Sequence, residues 1–488
     1  MAEIPPNNNP NDPDDNDPMQ EMFKRMFGGQ MPPGFDPASL GLTPGQGADP
    51  AQMQAIFRQL QGLFGAMASG ESGPVNWTLA KQSAREATAG ADPSLTANSK
   101  GAVENAAKLA DLWLSQATSF DPTPQDPQAL TRSEWVDKTM DSWKRLTEPV
   151  AISVSQAMTA ALQEQIPEEM RGLMGGTSGM MQSLGGALFG SQLGAAVGAL
   201  AKEVLGSTDI GLPLSGERPA LIPANIADFG EGLDLPDNEI LLFVALRELA
   251  HMRLYRAVPW LKDHVIGAIE DYARGITIDT SHIDEAMRDF DPARPESMQD
   301  VFNEGLFTPH RSPAQTAALA KLENALALIE GWVDEVVADA AVNLPSAAAL
   351  RETMRRRRAS GGPAEQAFAS IVGLELRPRR LREASQFWAH LKEERGLEGR
   401  DAAWEAEDLM PTGEDLDDPA GYSSRRALVN ASDEDLDAAL DRLLSGGYDE
   451  SAPTDEEAPT EDAPKDDAPK ADPENPEDPE NPQDSPKG

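Results

Sequence analysis

The stretch "EILLFVALRELAHMRLYRAVPWL", Glu239–Leu261, decides how this 488-residue chain is read. From Ile240 to Leu246 every residue is apolar, and a helix that is apolar on all sides is a buried one. At about 100° per residue, Glu248 shares a face with Leu241, Val244, His251, Met252 and Tyr255. Glu248 and His251 are therefore expected to face inward. A buried carboxylate and a buried imidazole need partners, because burial without them is costly. Two schemes serve. One is a core hydrogen bond between the two, or a pair with Arg247. The other is a metal or catalytic site. The Glu-x-x-His spacing alone does not choose.

A second polar set lies further along. Ser312 and Pro313 read as a helix start, and the helix is expected to run to about Leu344. Leu319, Leu322, Leu326, Ile329, Val333, Val336 and Ala340 step by three and four, which predicts one buried stripe. Within "ALIEGWVDEVV", Glu330 and Asp334 sit four apart beside that stripe. A carboxylate ligand followed one turn later by an acid that orients a histidine is a workable metal design. Two solvated acids at the edge of a stripe are the alternative.

Composition narrows the rest. Hydrophobic residues make up 40% of the chain, enough for a core, but there are 40 prolines, 40 glycines and a net charge of −41. Much of the acidity is local. Residues 449–488 carry no aromatic or β-branched aliphatic residue and cannot bury enough surface to offset the entropy of ordering. The first eighteen residues, "MAEIPPNNNPNDPDDNDP", read the same way. Both ends are expected to be disordered tails. The acidity argues against a nucleic-acid partner. The basic clusters Arg355–Arg358 and Leu376–Arg382 read as salt-bridging, solvated helix surface. With no cysteine, disulfides, thiol catalysis and cysteine-ligated metals are excluded. The opening residues contain no apolar signal region, and the expected compartment is the cytoplasm.

Gly172–Ala201 is uncharged, with Gly186, Gly190, Gly194 and Gly198 at every fourth position. The glycine content and Gln182, Ser183, Ser191 and Gln192 argue against a membrane span. The expectation is a helix whose glycine face lets another helix approach closely. Residues 1–72 read as a flexible arm with two short helical pieces, "MQEMFKRMF" and "AQMQAIFRQLQGLFGAM". They could dock on the body or on an unidentified protein partner. Residues 73–170 read as a helical region, with a helix start at Ser133, residues 171–420 as a core domain and 421–448 as a short helical segment. "ALIPANI" is the best candidate strand, limited to an edge by Pro223. "ARGITID" is a short β-like stretch, and further helices are expected at Ala364–Val372 and Arg379–Arg395. No nucleophile elbow, phosphate loop or dinucleotide fingerprint is present.

Several blocks in order, "PANIADF", "ALRELAHMRLYRAVPWL", "DYARGITID", "ALIEGWVDEVV", "VGLELRPRRLREASQFW" and "RDAAWEAEDLMPTGEDLDDP", carry a resemblance. The chain resembles a family of zincin-like zinc-dependent metalloproteases or hydrolases of high-GC Gram-positive bacteria, in an Arg-Glu-x-x-His form. The resemblance implies a mainly α fold, a zincin-like helical core with a small β component. It implies zinc, a peptide or protein substrate, His251 and Glu330 as metal ligands, Glu248 as general base and Asp334 behind the ligands. Arg247 stands where such proteins have their first histidine, and a guanidinium has no lone pair for a metal. Either His264, His282 or His310 substitutes, or no metal binds and Arg247 pairs with Glu330 or Glu248 in the cation's place. The function implied is a metallopeptidase-like hydrolase with a modified site. The alternative is a non-catalytic interaction protein on the same fold.

Overall fold

A proline-bounded segment begins the central helix. Pro236 caps it, Asp237 and Glu239 place negative charge in its first turn, and it runs over Asp237–Ala257 (α6), where that charge complements the helix dipole. Pro259 then opens the next helix at its first position, as its missing N–H permits. The computed structural model of the protein describes residues 73–90, 92–165, 177–276 and 312–429, together with Asp437 and Asp441. The expected N-terminal arm and acidic tail, and the stretch with His282 and His310, lie outside the described residues. Contacts group the chain into two units, Met1–Ser423 and Ser424–Gly488, and the helices that build the core belong to the first.

The architecture is mainly helical. In chain order come α1 (Trp77–Thr88), α2 (Ala97–Leu114), strand β1 (Gln128–Ala129), α3 (Arg132–Gln165), α4 (Thr177–Leu200), strand β2 (Ala220–Leu221), α5 (Pro223–Gly230) and α6. Then come α7 (Pro259–Arg274), α8 (Pro313–Ala340), α9 (Ala347–Ser360), α10 (Pro363–Val372) and α11 (Leu381–Asp401). The strands pair in parallel, Gln128 with Ala220 and Ala129 with Leu221, and Gly206 forms an antiparallel bridge to Leu221. "ALIPANI" is thus a two-residue strand that turns into a helix, because Pro223 starts α5 rather than closing an edge strand.

Two helix starts obey local rules. Ser312 accepts from the Gln315 N–H while the Gln315 side chain accepts from the Ser312 N–H, a capping box. Thr131 and Glu134 exchange the same pair of bonds, so α3 begins at Arg132 and not at Ser133. The long helix α8 ends at Ala340, four residues before the expected Leu344. It is also buried more widely than one stripe. Every residue from Ala325 to Val337 is buried, because α6, α7 and α11 all pack on α8. Gly331 admits α11, since a Cβ there would lie 2.5 Å from the Ala384 Cβ.

The four spaced glycines of α4 do what their period predicts. A Cβ at Gly186, Gly190, Gly194 or Gly198 would fall 2.1–2.6 Å from the carbonyl oxygen of Gly73, Asn76, Ala80 or Ala84. Helix α4 therefore lies backbone to backbone on α1 and the residues leading into it. No helix among the described residues is long and apolar enough to cross a membrane.

Candidate functional site

The carboxylates of α6 and α8 lie inside the core, Glu330 against α6 and Glu248 against the chain at 207–208 and β2. Glu330 is fully buried, and Glu248, His251 and Arg247 are 3%, 1% and 6% exposed. Arg247 Nη2 donates to Glu330 Oε2 at 2.6 Å. Of the two partners open to Arg247 from the sequence, it therefore meets Glu330. His251 Nδ1 donates to the carbonyl of Arg247 at 2.9 Å, one turn back. That bond fixes the ring, and Nε2 points at Glu330 Oε1, 3.3 Å away. Neither of those two atoms completes a well-aligned hydrogen bond.

A second guanidinium joins from α9. Arg358, 3% exposed, places Nη2 3.2 Å from Glu330 Oε1. Burial alone would raise the Glu330 carboxyl. The charges of Arg358, Arg247 and His251 outweigh burial and hold it far below the usual carboxylate range. Gly211 lets the backbone in beside this cluster. Its φ of +87° suits glycine, and a Cβ there would sit 3.4 Å from Glu330 Oε1. The Gly211 carbonyl accepts from the Tyr255 hydroxyl at 2.7 Å. Burial, and then the Glu330 charge, keep that phenol well above its ordinary pKa, so it stays a donor.

Glu248 is occupied differently. Oε1 accepts from the Ala220 N–H at 2.9 Å, from the Ser207 N–H at 3.3 Å and from the Ser207 hydroxyl. Oε2 accepts from the Thr208 N–H at 3.0 Å and its hydroxyl at 2.6 Å. Five donors from the loop 207–208 and strand β2 converge on one carboxylate. Gly206 is required beside it, because a Cβ there would lie 2.5 Å from Oε2 and 2.8 Å from the Ala220 carbonyl.

Asp334, expected behind a histidine, instead faces α9 and α11. It accepts from Arg351 Nη2 at 2.7 Å, Arg355 Nη2 at 2.6 Å and the Ser385 hydroxyl at 2.9 Å. Its carboxyl is lowered because those guanidinium bonds and charges outweigh burial. His264 lies on α7, where Nδ1 meets Glu407 at 2.8 Å; burial, ahead of the opposing Glu407 bond, lowers its pKa. The arginine run at 355–358 does form salt bridges, but it is not all solvated surface. Arg356 is exposed, and Arg358 is buried against Glu330. Sequence reading missed Arg358. Its signal was the spacing of Arg351, Arg355 and Arg358 by four and three, one face of α9.

These residues do not fit a zinc ion. A catalytic zinc takes about three protein ligands, and here His251 Nε2 and Glu330 Oε1 are the two that converge. The third position carries a guanidinium bonded to Glu330, and a second guanidinium lies on the other oxygen. Among the described residues no three His, Asp or Glu side chains are grouped to hold a metal.

Fold and site together define a class. Residues 75–422 match the model of the zincin-like metallopeptidase family, and the chain belongs to that family. It is also similar in fold to a solved structure from Chloroflexus aurantiacus, described as "a putative hydrolase with a novel fold". The two are 19% identical with a TM-score of 0.52, over 73% of this chain and 100% of that one. No curated protein matches the chain.

Proposed function

We propose that this chain is a non-catalytic member of the zincin-like metallopeptidase family, in which the Arg247 guanidinium takes the metal's place and the fold serves as a binding scaffold. The observation that carries the reading is the 2.6 Å pair between Arg247 and the fully buried Glu330. A cation held there by covalent attachment repels a divalent metal and supplies the countercharge the carboxylate needs. The saturation of Glu248 by five donors supports the same reading. A general base must reach the proton it removes, and both oxygens of Glu248 are committed to holding the chain at 207, 208 and 220.

A hydrolase acting on peptides through zinc is the second reading. Family membership and the description of the Chloroflexus protein favour it. It requires a ligand from His282 or His310 to join His251 and Glu330, and it requires Glu248 to release its donors.

Metal analysis separates the two. Chain purified and dialysed after exposure to excess zinc is expected to carry far less than one equivalent while remaining folded, with no hydrolysis of a peptide library. One tightly held zinc per chain, lost in both His251→Ala and Glu330→Ala, would overturn the proposal.

A further inference from the structure

The described chain begins at Gly73, and it begins against α4. The Asn76 N–H donates to the Gly186 carbonyl at 2.9 Å, and a Cβ at Gly186 would lie 2.3 Å from the Gly73 carbonyl oxygen. Gly190, Gly194 and Gly198 then follow Asn76, Ala80 and Ala84 in step, so α1 runs parallel to α4. Helix α4 starts at Thr177. At about 1.5 Å per residue, roughly 14 Å of it precede Gly186.

This end of the helix pair is nearly uncharged. Residues 150–165, the second half of α3, carry Glu164 alone, and α4 carries no charge at all. A helix that is apolar on all sides is a buried one. The two helices touch each other, and α1 and α10 pack on α4. Even so, Leu188 of α4 is 52% exposed and Ile152 of α3 is 40% exposed. The two lie about equally far from the connection between their helices. Gly185 is exposed as well, and among the described residues a Cβ there would meet nothing within 4 Å. An uncharged helix pair thus shows large apolar side chains to solvent, and Leu188 does so within one turn of the place where the N-terminal chain arrives.

The arriving chain carries a matching face. In "AQMQAIFRQLQGLFGAM", Ala51–Met67, which lies outside the described residues, Met53, Ile56, Phe57, Leu60, Leu63 and Phe64 recur at helical spacing, and Arg58 is the sole charge. A helix this short, with glycine at 62 and 65, is not stable alone in water, so it needs a surface. Ala68–Ser72 join it to Gly73, a tether that spans about 20 Å at most. That tether holds the segment near Leu188 at an effective concentration on the order of millimolar. We propose that Ala51–Met67 folds as a helix on the α3–α4 pair and covers Ile152 and Leu188 with its Phe57, Leu60 and Phe64 side. The chain's own arm is favoured over a second copy. A stable dimer buries about 800 Å² per partner, far more than two side chains offer, whereas a tethered segment is spared most of the entropy cost of association.

Hydrogen exchange of the full, unaltered chain tests this. Amides within Ala51–Met67 are expected to exchange at least about tenfold more slowly than their unstructured rates, to the same degree at low and high protein concentration. Leu188→Asp, a change at an exposed position, should remove that protection. Unprotected arm amides overturn the proposal. So does protection that appears only as concentration rises, the mark of a second copy. Protection that survives in a folded Leu188→Asp chain also overturns it, because the arm then docks elsewhere. The chain has no cysteine, so spin labels on a Gln59→Cys, Gln192→Cys chain give a second measurement that leaves both apolar faces intact. One narrow distance within each molecule is expected, and a broad distribution overturns the proposal even if Leu188→Asp does not fold.

Discussion

Glu248 and Glu330 are two carboxylates buried within one pair of packed helices, and they reach charge balance by opposite means. Glu248 is surrounded by neutral donors, three backbone N–H groups and two hydroxyls. Glu330 is surrounded by charge, with Arg247 on one oxygen and Arg358 and His251 by the other. The difference assigns them different work. Glu248 ties a loop and a strand to α6. Glu330 ties three helices, α6, α8 and α9, by their side chains alone. In a zinc peptidase the same two positions would share one metal-centred task. On the proposed reading, in which a guanidinium occupies the centre, the two acids act separately, each as a structural acceptor.

The comparison breaks first at Glu330. Replacing it by alanine leaves two buried guanidinium groups without their countercharge, and removal of one partner from a buried pair costs about 3–5 kcal/mol. Denaturant unfolding of Glu330→Ala should show a loss of that size; a loss below about 1 kcal/mol would mean that the cluster is solvated and not a core element. Next comes Glu248→Ala, which strands five donors. Only some will find water, so a loss of about 2–4 kcal/mol is expected. Hydrogen exchange should quicken locally at the amides of Ser207, Thr208 and Ala220. Exchange that quickens equally at the Glu330 cluster would show that the two acids are not independent.

Acid sharpens the contrast. The folded Glu330 carboxyl is held below its ordinary 4.5. Its stabilisation is then complete above that value and is lost as pH falls towards the folded one. The stability gap between the native chain and Glu330→Gln should therefore stay constant from about pH 8 to pH 5 and shrink below it. A gap that shrinks between pH 8 and 6 would contradict the assignment. The smallest effects belong to the glycines beside each acid. Gly206→Ala drives a methyl group into Glu248 and the Ala220 carbonyl, an overpacking of about 1–3 kcal/mol. Gly211→Ala has more room and suffers mainly from its positive φ, about 1 kcal/mol. Equal losses would mean that sterics, and not backbone conformation, govern both sites.

Much of this molecule is set by local pattern. The all-apolar run before Arg247 determined that α6 is central, and Ser312 with Pro313 determined where α8 begins. The period of four glycines determined that α4 would meet a close neighbour. The identity of that neighbour, α1, is not written in the repeat. Periodicity likewise placed Glu248 and His251 inside, because an apolar surrounding is a property of the helix itself; it left Glu330 beside the stripe, and the packing of three helices on α8 buried it. Periodicity could not tell what each would touch. Glu248 finds donors 28 to 41 residues earlier in the chain, and Glu330 finds Arg358, 28 residues later, on a helix whose arginines read as surface. Asp334, one turn from Glu330, turns to Arg351 and Arg355 instead of a histidine because α9 and α11 cover that side of α8. Helix and burial arise from neighbours within a few residues, so the sequence alone determines them. A charge is paired only by whatever the packing brings within a few ångströms, and that is decided when the helices close.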